Sequence, residues 1–184
     1  MKFGSFASLV ATVVLVLCAS CAPKPIEIGY EHALLDSGNA LPSVEVNVIG
    51  FSNDANLNQF RNCSLNDYFD MSKTISLRTD LLDAGVVKVL HFDAQTKGQP
   101  TVDSADSVLV IAPDDPIYKA WIAKGVTTIV VVQDYPRPAD VTANPPAAQD
   151  SRFRQVPFAS GQWKGNALII RIQRSGPYVV NSVE

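Results

Sequence analysis

The chain has 184 residues, with 15 Lys and Arg against 18 Asp and Glu, a formal net charge of −3. So mild an acidic balance excludes the basic footprint of a nucleic-acid binder, and no nucleic-acid partner is expected. The length suits one domain that buries a sizeable core without disulfides.

The N-terminus comes first. After Lys2, residues 6–17 run without a charge. A membrane span needs about 20 apolar residues. This shorter run fits the apolar region of a signal peptide instead. Small Ala19 and Ser20 then precede Cys21, as a peptidase requires if it is to draw an extended backbone into narrow pockets. The stretch looks like a lipobox with Cys21 as lipid acceptor. One position departs from the usual pattern, Cys18 standing where leucine is common. Cys18 is itself a poorer acceptor because bulky Leu17 precedes it. The alternative is an uncleaved N-terminal anchor helix. The expected organisation is a signal peptide at 1–20, a lipidated tether at 21–25 and one domain over 26–184. Cleavage removes Lys2, the one charged residue of the signal, and takes the net charge from −3 to −4.

A single acyl chain binds a membrane marginally, at ~0.8 kcal/mol per buried methylene. A lipoprotein cysteine resembles its class in carrying three chains, so release would be slow. Ala22 rather than aspartate follows Cys21, which favours the outer membrane, facing the periplasm. With Cys18 removed and Cys21 acylated, Cys63 remains and cannot form an internal disulfide. It reads as a buried small apolar residue, with an intermolecular bridge as the alternative.

Beyond the tether, strand signals dominate. Apolar residues alternate at Ile26, Ile28 and Tyr30; at Val44, Val46 and Val48; at Ile75, Leu77 and Thr79; and at Leu168, Ile170 and Ile172. This period of two is that of a half-buried strand. Segments 86–92, 107–112 and 127–132 are apolar on both faces and predict central strands. Segments 152–158 and 178–183 are weaker candidates. About nine short strands point to a β-sandwich. Two helices are expected. Ser64 and Asp67 have capping spacing; Asp115, Pro116 and Gly125 start and stop a helix over 116–124, with Ile117 and Trp121 on one face. Two loops stand out, at 32–42 and at 135–150. The second is proline-rich, so it is expected to run on the surface.

No catalytic constellation is legible. A Ser-His-Asp site needs a base beside an activated serine, and no G-x-S-x-G elbow supplies one. His32 reads as a surface histidine and His91 as a core-edge one. Two histidines and Cys63, scattered along the chain, do not suggest zinc. Asp103 with Asp106, and Asp114 with Asp115, lack calcium-loop spacing and read as turn and cap residues. No glycine-rich nucleotide loop is present. Tyr118, Trp121 and Trp163 could suggest a sugar platform, but core packing accounts for most of them. Trp163 either packs over an end of the sandwich or marks a contact surface. No cofactor, metal site or catalytic residue is expected.

With these features in order, the chain resembles the TssJ family, outer-membrane lipoproteins of the type VI secretion membrane complex. The resemblance rests on the acylated cysteine, the first strand IEIGY, the second strand PSVEVNVIGF and the phenylalanine-led segment NQFRNCSLNDYFD. It continues through IVVVQDYP and the closing RFRQVPFASGQWKGNALIIRIQRSGPYVV, where Phe153 and Arg154 form an aromatic-arginine pair. The 32–42 loop departs from the pattern in lacking the family's Asn-Pro-Asp stretch. So do the helix at 113–125 and the long 135–150 insert. The resemblance implies a transthyretin-like antiparallel β-sandwich with about two short helices and a non-catalytic role. It also implies binding to the periplasmic C-terminal region of TssM, an inner-membrane protein, through the loop between the first two strands. Here that loop comprises Leu34, Leu35, Asp36, Ser37, Gly38, Asn39, Ala40, Leu41 and Pro42. The leucines suit an apolar pocket, and Asp36, Ser37 and Asn39 suit a polar rim. The alternative is an ordinary connector whose leucines turn into the core. Another envelope assembly, pilotin-like, or a periplasmic ligand-binding module would also suit the sandwich.

Overall fold

The computed structural model describes residues 23–30, 43–72, 76–93, 108–135 and 144–181. Within them eight strands form two four-stranded sheets. They are β1 (Ile26–Tyr30), β2 (Val44–Phe51), β3 (Val87–Phe92), β4 (Val108–Ile111), β5 (Thr128–Asp134), β6 (Phe153–Pro157), β7 (Leu168–Ile172) and β8 (Tyr178–Val179). One sheet runs β4-β1-β7-β8 and the other β3-β2-β5-β6. The mostly-β sandwich expected from the alternation is therefore present. It has one parallel pairing, β1 with β7, set among antiparallel ones.

Period-two alternation explains the core. Ile26, Ile28, Leu168, Ile170 and Ile172 from the first sheet meet Val44, Val46, Val48, Ile129 and Val131 from the second in one buried cluster. Each such side chain contributes roughly 1.5–3 kcal/mol on burial. The opposite face of the second sheet carries Ile49, Phe51, Val130 and Val132, which form a second cluster with helical residues Leu57, Phe60, Leu65, Tyr68 and Leu81. That sheet is thus buried on both faces, which is why its sequence is apolar at consecutive positions.

Three helices supply this cover: α1 (Asp54–Asn62), α2 (Leu65–Phe69) and α3 (Leu77–Asp83). Each starts on a side-chain cap that satisfies free N–H groups. Asn53 accepts from the Asn56 N–H, Ser64 from those of Asn66 and Asp67, and Ser76 from that of Thr79. The fourth, α4 (Pro116–Ala123), lies between β4 and β5 and is capped by Asp115. Gly125, at φ 65, follows it in the left-handed conformation that ends helices.

Several expectations are corrected. The alternation at Ile75, Leu77 and Thr79 does not make a strand, because Leu77 opens α3. The Ser76 cap, with Leu77 and Leu81 four apart, decides for helix there. Helix α1 has no counterpart among the expected elements, so the described residues hold four α-helices where about two were expected. Of the three strands expected to be central, β5 is; β3 and β4 lie outermost in their sheets among the described residues. His91 is exposed on β3 rather than at the core edge. The 135–150 segment is not confined to the surface. Ala147 is fully buried beneath the helical layer, and its N–H donates to Cys63 O at 2.7 Å.

Candidate functional site

The two ends of the sandwich differ in chemistry. The first is the end where β1 begins. The Lys24 carbonyl accepts from the Tyr118 hydroxyl at 2.9 Å, and the Pro25 carbonyl accepts from the Leu168 N–H at 2.9 Å. Lys24 Nζ donates to Trp163 O at 3.4 Å. The incoming chain is therefore fastened to α4 and to the turn before β7. Aromatic rings fill this end. Tyr118 and Trp121 of α4 both pack on Phe158, with centroids 5.1 and 5.9 Å away. The indole N–H groups of Trp121 and Trp163 donate to Val86 O and Pro157 O, at 2.9 and 3.0 Å. Trp121 lies so close over β2 that a Cβ on Gly50 would stand 2.5 Å from its ring. Both tryptophans and Tyr118 are buried, so Trp163 caps the sandwich end and none of the three offers a sugar platform.

The helix cap here carries an ionic contact. Lys88 Nζ donates to the Asp115 carboxylate at 2.8 Å. Burial pushes the Asp115 carboxyl up, but the Lys88 hydrogen bond, the Ile117 N–H and the Lys88 charge outweigh it and hold it below its ordinary range.

The far end, where β1 finishes at Tyr30 and β2 starts at Val44, is ionic. Arg78 of α3 bonds Glu45 at 2.6 Å, and Asn47 Nδ2 donates to the same carboxylate at 2.7 Å. Arg152 forks onto Asp150 at 2.8 and 3.1 Å and donates to Asn66 Oδ1 at 2.8 Å. Gln133 donates to Gln173 O at 2.8 Å, which ties the two sheets together. Arg78, Arg152, Asp150, Asn47 and Gln133 are all buried. At the end of β5, burial and the charge of Glu45 raise the Asp134 carboxyl, and Arg152 and Arg78 pull against them. Every buried cation is thus matched to a carboxylate. The arrangement clamps the helical layer to the sheet.

A cleft of about 220 Å³ lies in the helical layer, lined by Cys63, Asp67, Tyr68, Ser76 and Leu77. Burial, helped by the Asp67 charge, pushes the half-buried Cys63 thiol up to about 11. Only a minute fraction is thiolate at neutral pH, so the residue is no nucleophile. Among the described residues no group of three or more His, Cys, Asp and Glu is placed to hold a metal, and no helix is long and apolar enough to cross a membrane.

The residues singled out from sequence are not brought together. Cys21, His32, Asp103, Asp106 and the whole of Leu34 to Pro42 lie outside the described residues. What the sequence reading missed is the ionic clamp. Glu45 and Asn47 alternate with core valines and so look solvent-facing; no local pattern marks Arg78 or Arg152 as buried.

No family model matches the chain, and no curated protein matches it. Among solved structures, it is similar to a chain of a type VI membrane complex, at 10% identity and a TM-score of 0.49 over 86% of this chain and 99% of that one. It is also similar to Serratia marcescens Lip, a membrane-bound component of the type VI secretion system, at 12% identity and a TM-score of 0.44 over 88% and 100% of the two chains. The type VI secretion lipoprotein TssJ1 from Pseudomonas aeruginosa is similar at 10% identity and a TM-score of 0.45, over 89% and 99%. At these values a shared function does not follow from the likeness.

Proposed function

We propose that the chain is a non-catalytic outer-membrane lipoprotein of a type VI secretion membrane complex. Acyl chains on Cys21 hold it to the membrane. Its 34–42 loop binds the periplasmic C-terminal region of a TssM-like inner-membrane protein. The observation that carries this reading is the two-ended build. The chain arriving from Cys21 is fastened at one end of the sandwich, through Lys24 and Pro25. The 31–42 segment departs from Tyr30 and returns to Val44 at the other. At about 3.3 Å per residue, β1 separates its two ends by about 13 Å. A lipidated chain built this way carries its partner loop away from the bilayer.

The chemistry of the described residues supports a structural role. The buried charges are paired and the half-buried thiol is held protonated. The test is to capture tagged full-length protein from detergent-solubilised envelope and identify what is bound. Recovery of a large TssM-like inner-membrane protein is expected. Recovery of an unrelated envelope protein would move the reading to another assembly of the pilotin kind. A Cys21→Ser variant should leave the membrane fraction; if it stays there, the acyl-anchor reading is wrong.

A further inference from the structure

We propose that the β1-start end of the sandwich is a membrane-docking face. There α4 would rest on anionic lipid headgroups and set the domain upright on the bilayer. This rests on the reading of Cys21 as the acylated residue. Cys21 is three residues before Lys24, and three residues span at most about 11 Å. Lys24 is fixed to the domain, by its carbonyl to Tyr118 of α4 and by its ammonium to Trp163 O. The bilayer surface therefore lies within reach of α4, whatever path the intervening residues take.

The outward side of α4 suits such a surface. Tyr118 and Trp121 face the core, while Lys119, Ile122 and Ala123 are exposed and Lys124 follows at the cap. Ile122 is 52% exposed, one of the few large apolar side chains left so open. An apolar residue flanked by lysines is the pattern of an interfacial helix, whose apolar group enters the headgroup boundary while its cations meet lipid phosphates. Exposed Lys164, next to Trp163, adds a further cation beside the tether. On the flank of α4, Asp114 is the exposed acid, whereas Asp115 is engaged by Lys88. The exposed side of α4 thus carries Lys119 and Lys124 against Asp114, on a chain whose net charge is negative, while Asp54 and Asp83 are exposed where β2 ends and β3 begins. The occupant is lipid rather than protein, because the acyl anchor brings the bilayer to this end before any partner arrives.

The test uses full-length acylated protein in a Cys63→Ala background, reconstituted in phosphatidylethanolamine–phosphatidylglycerol vesicles. An environment-sensitive fluorophore is placed at Ile122→Cys or, at the far end, at Ser175→Cys. The probe at 122 should shift to the blue and be quenched by spin-labelled lipid, and the probe at 175 should do neither. The shift should be lost in phosphatidylcholine vesicles, in the Lys119→Glu/Lys124→Glu/Lys164→Glu variant, and at about 1 M salt, where the screening length is about 3 Å. A water-like probe at 122 on protein that co-floats with vesicles would overturn the docking and leave the anchor intact. Protein that fails to co-float would overturn the anchor reading and the docking with it. A shift that follows protein density instead of anionic lipid would mean that a second copy covers α4, and would also overturn the proposal.

Discussion

The end of the sandwich that receives the N-terminal chain is built from aromatic packing, and the opposite end from buried ion pairs. At the first, Tyr118 and Trp121 pack on Phe158, and Tyr118, Trp121 and Trp163 donate their polar hydrogens to backbone carbonyls. At the second, Arg78 and Asn47 both bond Glu45, and Arg152 forks onto Asp150. The difference teaches how one small domain holds its two ends by different means. Packing is insensitive to pH and salt and fastens the chain firmly at Lys24 and Pro25. Buried pairs contribute less net stability than their short distances suggest, yet they hold an element in one place, because a lost partner leaves a charge without compensation.

The largest break in this contrast is at the aromatic end. Trp121→Ala should cost about 3–5 kcal/mol, since it removes a fully buried indole and leaves a cavity over Gly50, while the Val86 carbonyl keeps its bond from the Gly50 N–H. Thermal unfolding should show a fall on the order of 10 °C at this chain length. At the ionic end, Arg152→Ala should cost about 3 kcal/mol in denaturant unfolding, because it strands the buried Asp150 carboxylate. Arg78→Met should cost less, since the Glu45 side chain it leaves is 20% exposed and reaches water.

Smaller effects sharpen the comparison through pH. Asp115→Ala should cost about 1 kcal/mol at neutral pH, the usual value of a helix N-cap. The Asp115 carboxyl is held below 3.8, its unfolded value. Its contribution is therefore complete above that value and lost as pH falls through the folded one. Wild type and variant should converge in acid. Asp134 has the opposite sign. Its carboxyl is raised, so ionisation costs the folded state stability as pH rises past the unfolded value. Asp134→Asn should raise the melting temperature slightly at neutral pH and have no effect near pH 3. A variant that is destabilised at neutral pH would mean that the Arg78 and Arg152 attractions outweigh burial there.

Eight of the nine expected strands were legible because alternation is a direct projection of one buried face. Helix α4 was legible because cap, first-turn proline and stop glycine all agree along the chain. The failures have physical reasons. Segment 75–79 alternates like a strand, but Ser76 satisfies a free N–H and Leu77 and Leu81 share a face, so α3 forms. Helix α1 buries only Leu57 and Phe60, too sparse a stripe to stand out in a polar stretch. Strands β3 and β4 read as central because they are apolar. Val87 on β3 is in fact covered by the helical layer, and Val110 on β4 is 52% exposed. The ionic clamp was invisible because its members come from distant parts of the chain and meet only in the fold.

The most direct test of the central claim is the affinity of full-length protein in detergent for the purified periplasmic region of the TssM-like protein. The wild type is compared with Leu34→Asp/Leu35→Asp/Leu41→Asp. The proposal places these leucines in the contact, so the expected result is loss of binding with an unchanged melting temperature. Undiminished binding by a folded variant would contradict the account. Loss of folding would place those leucines in the core and contradict it as well.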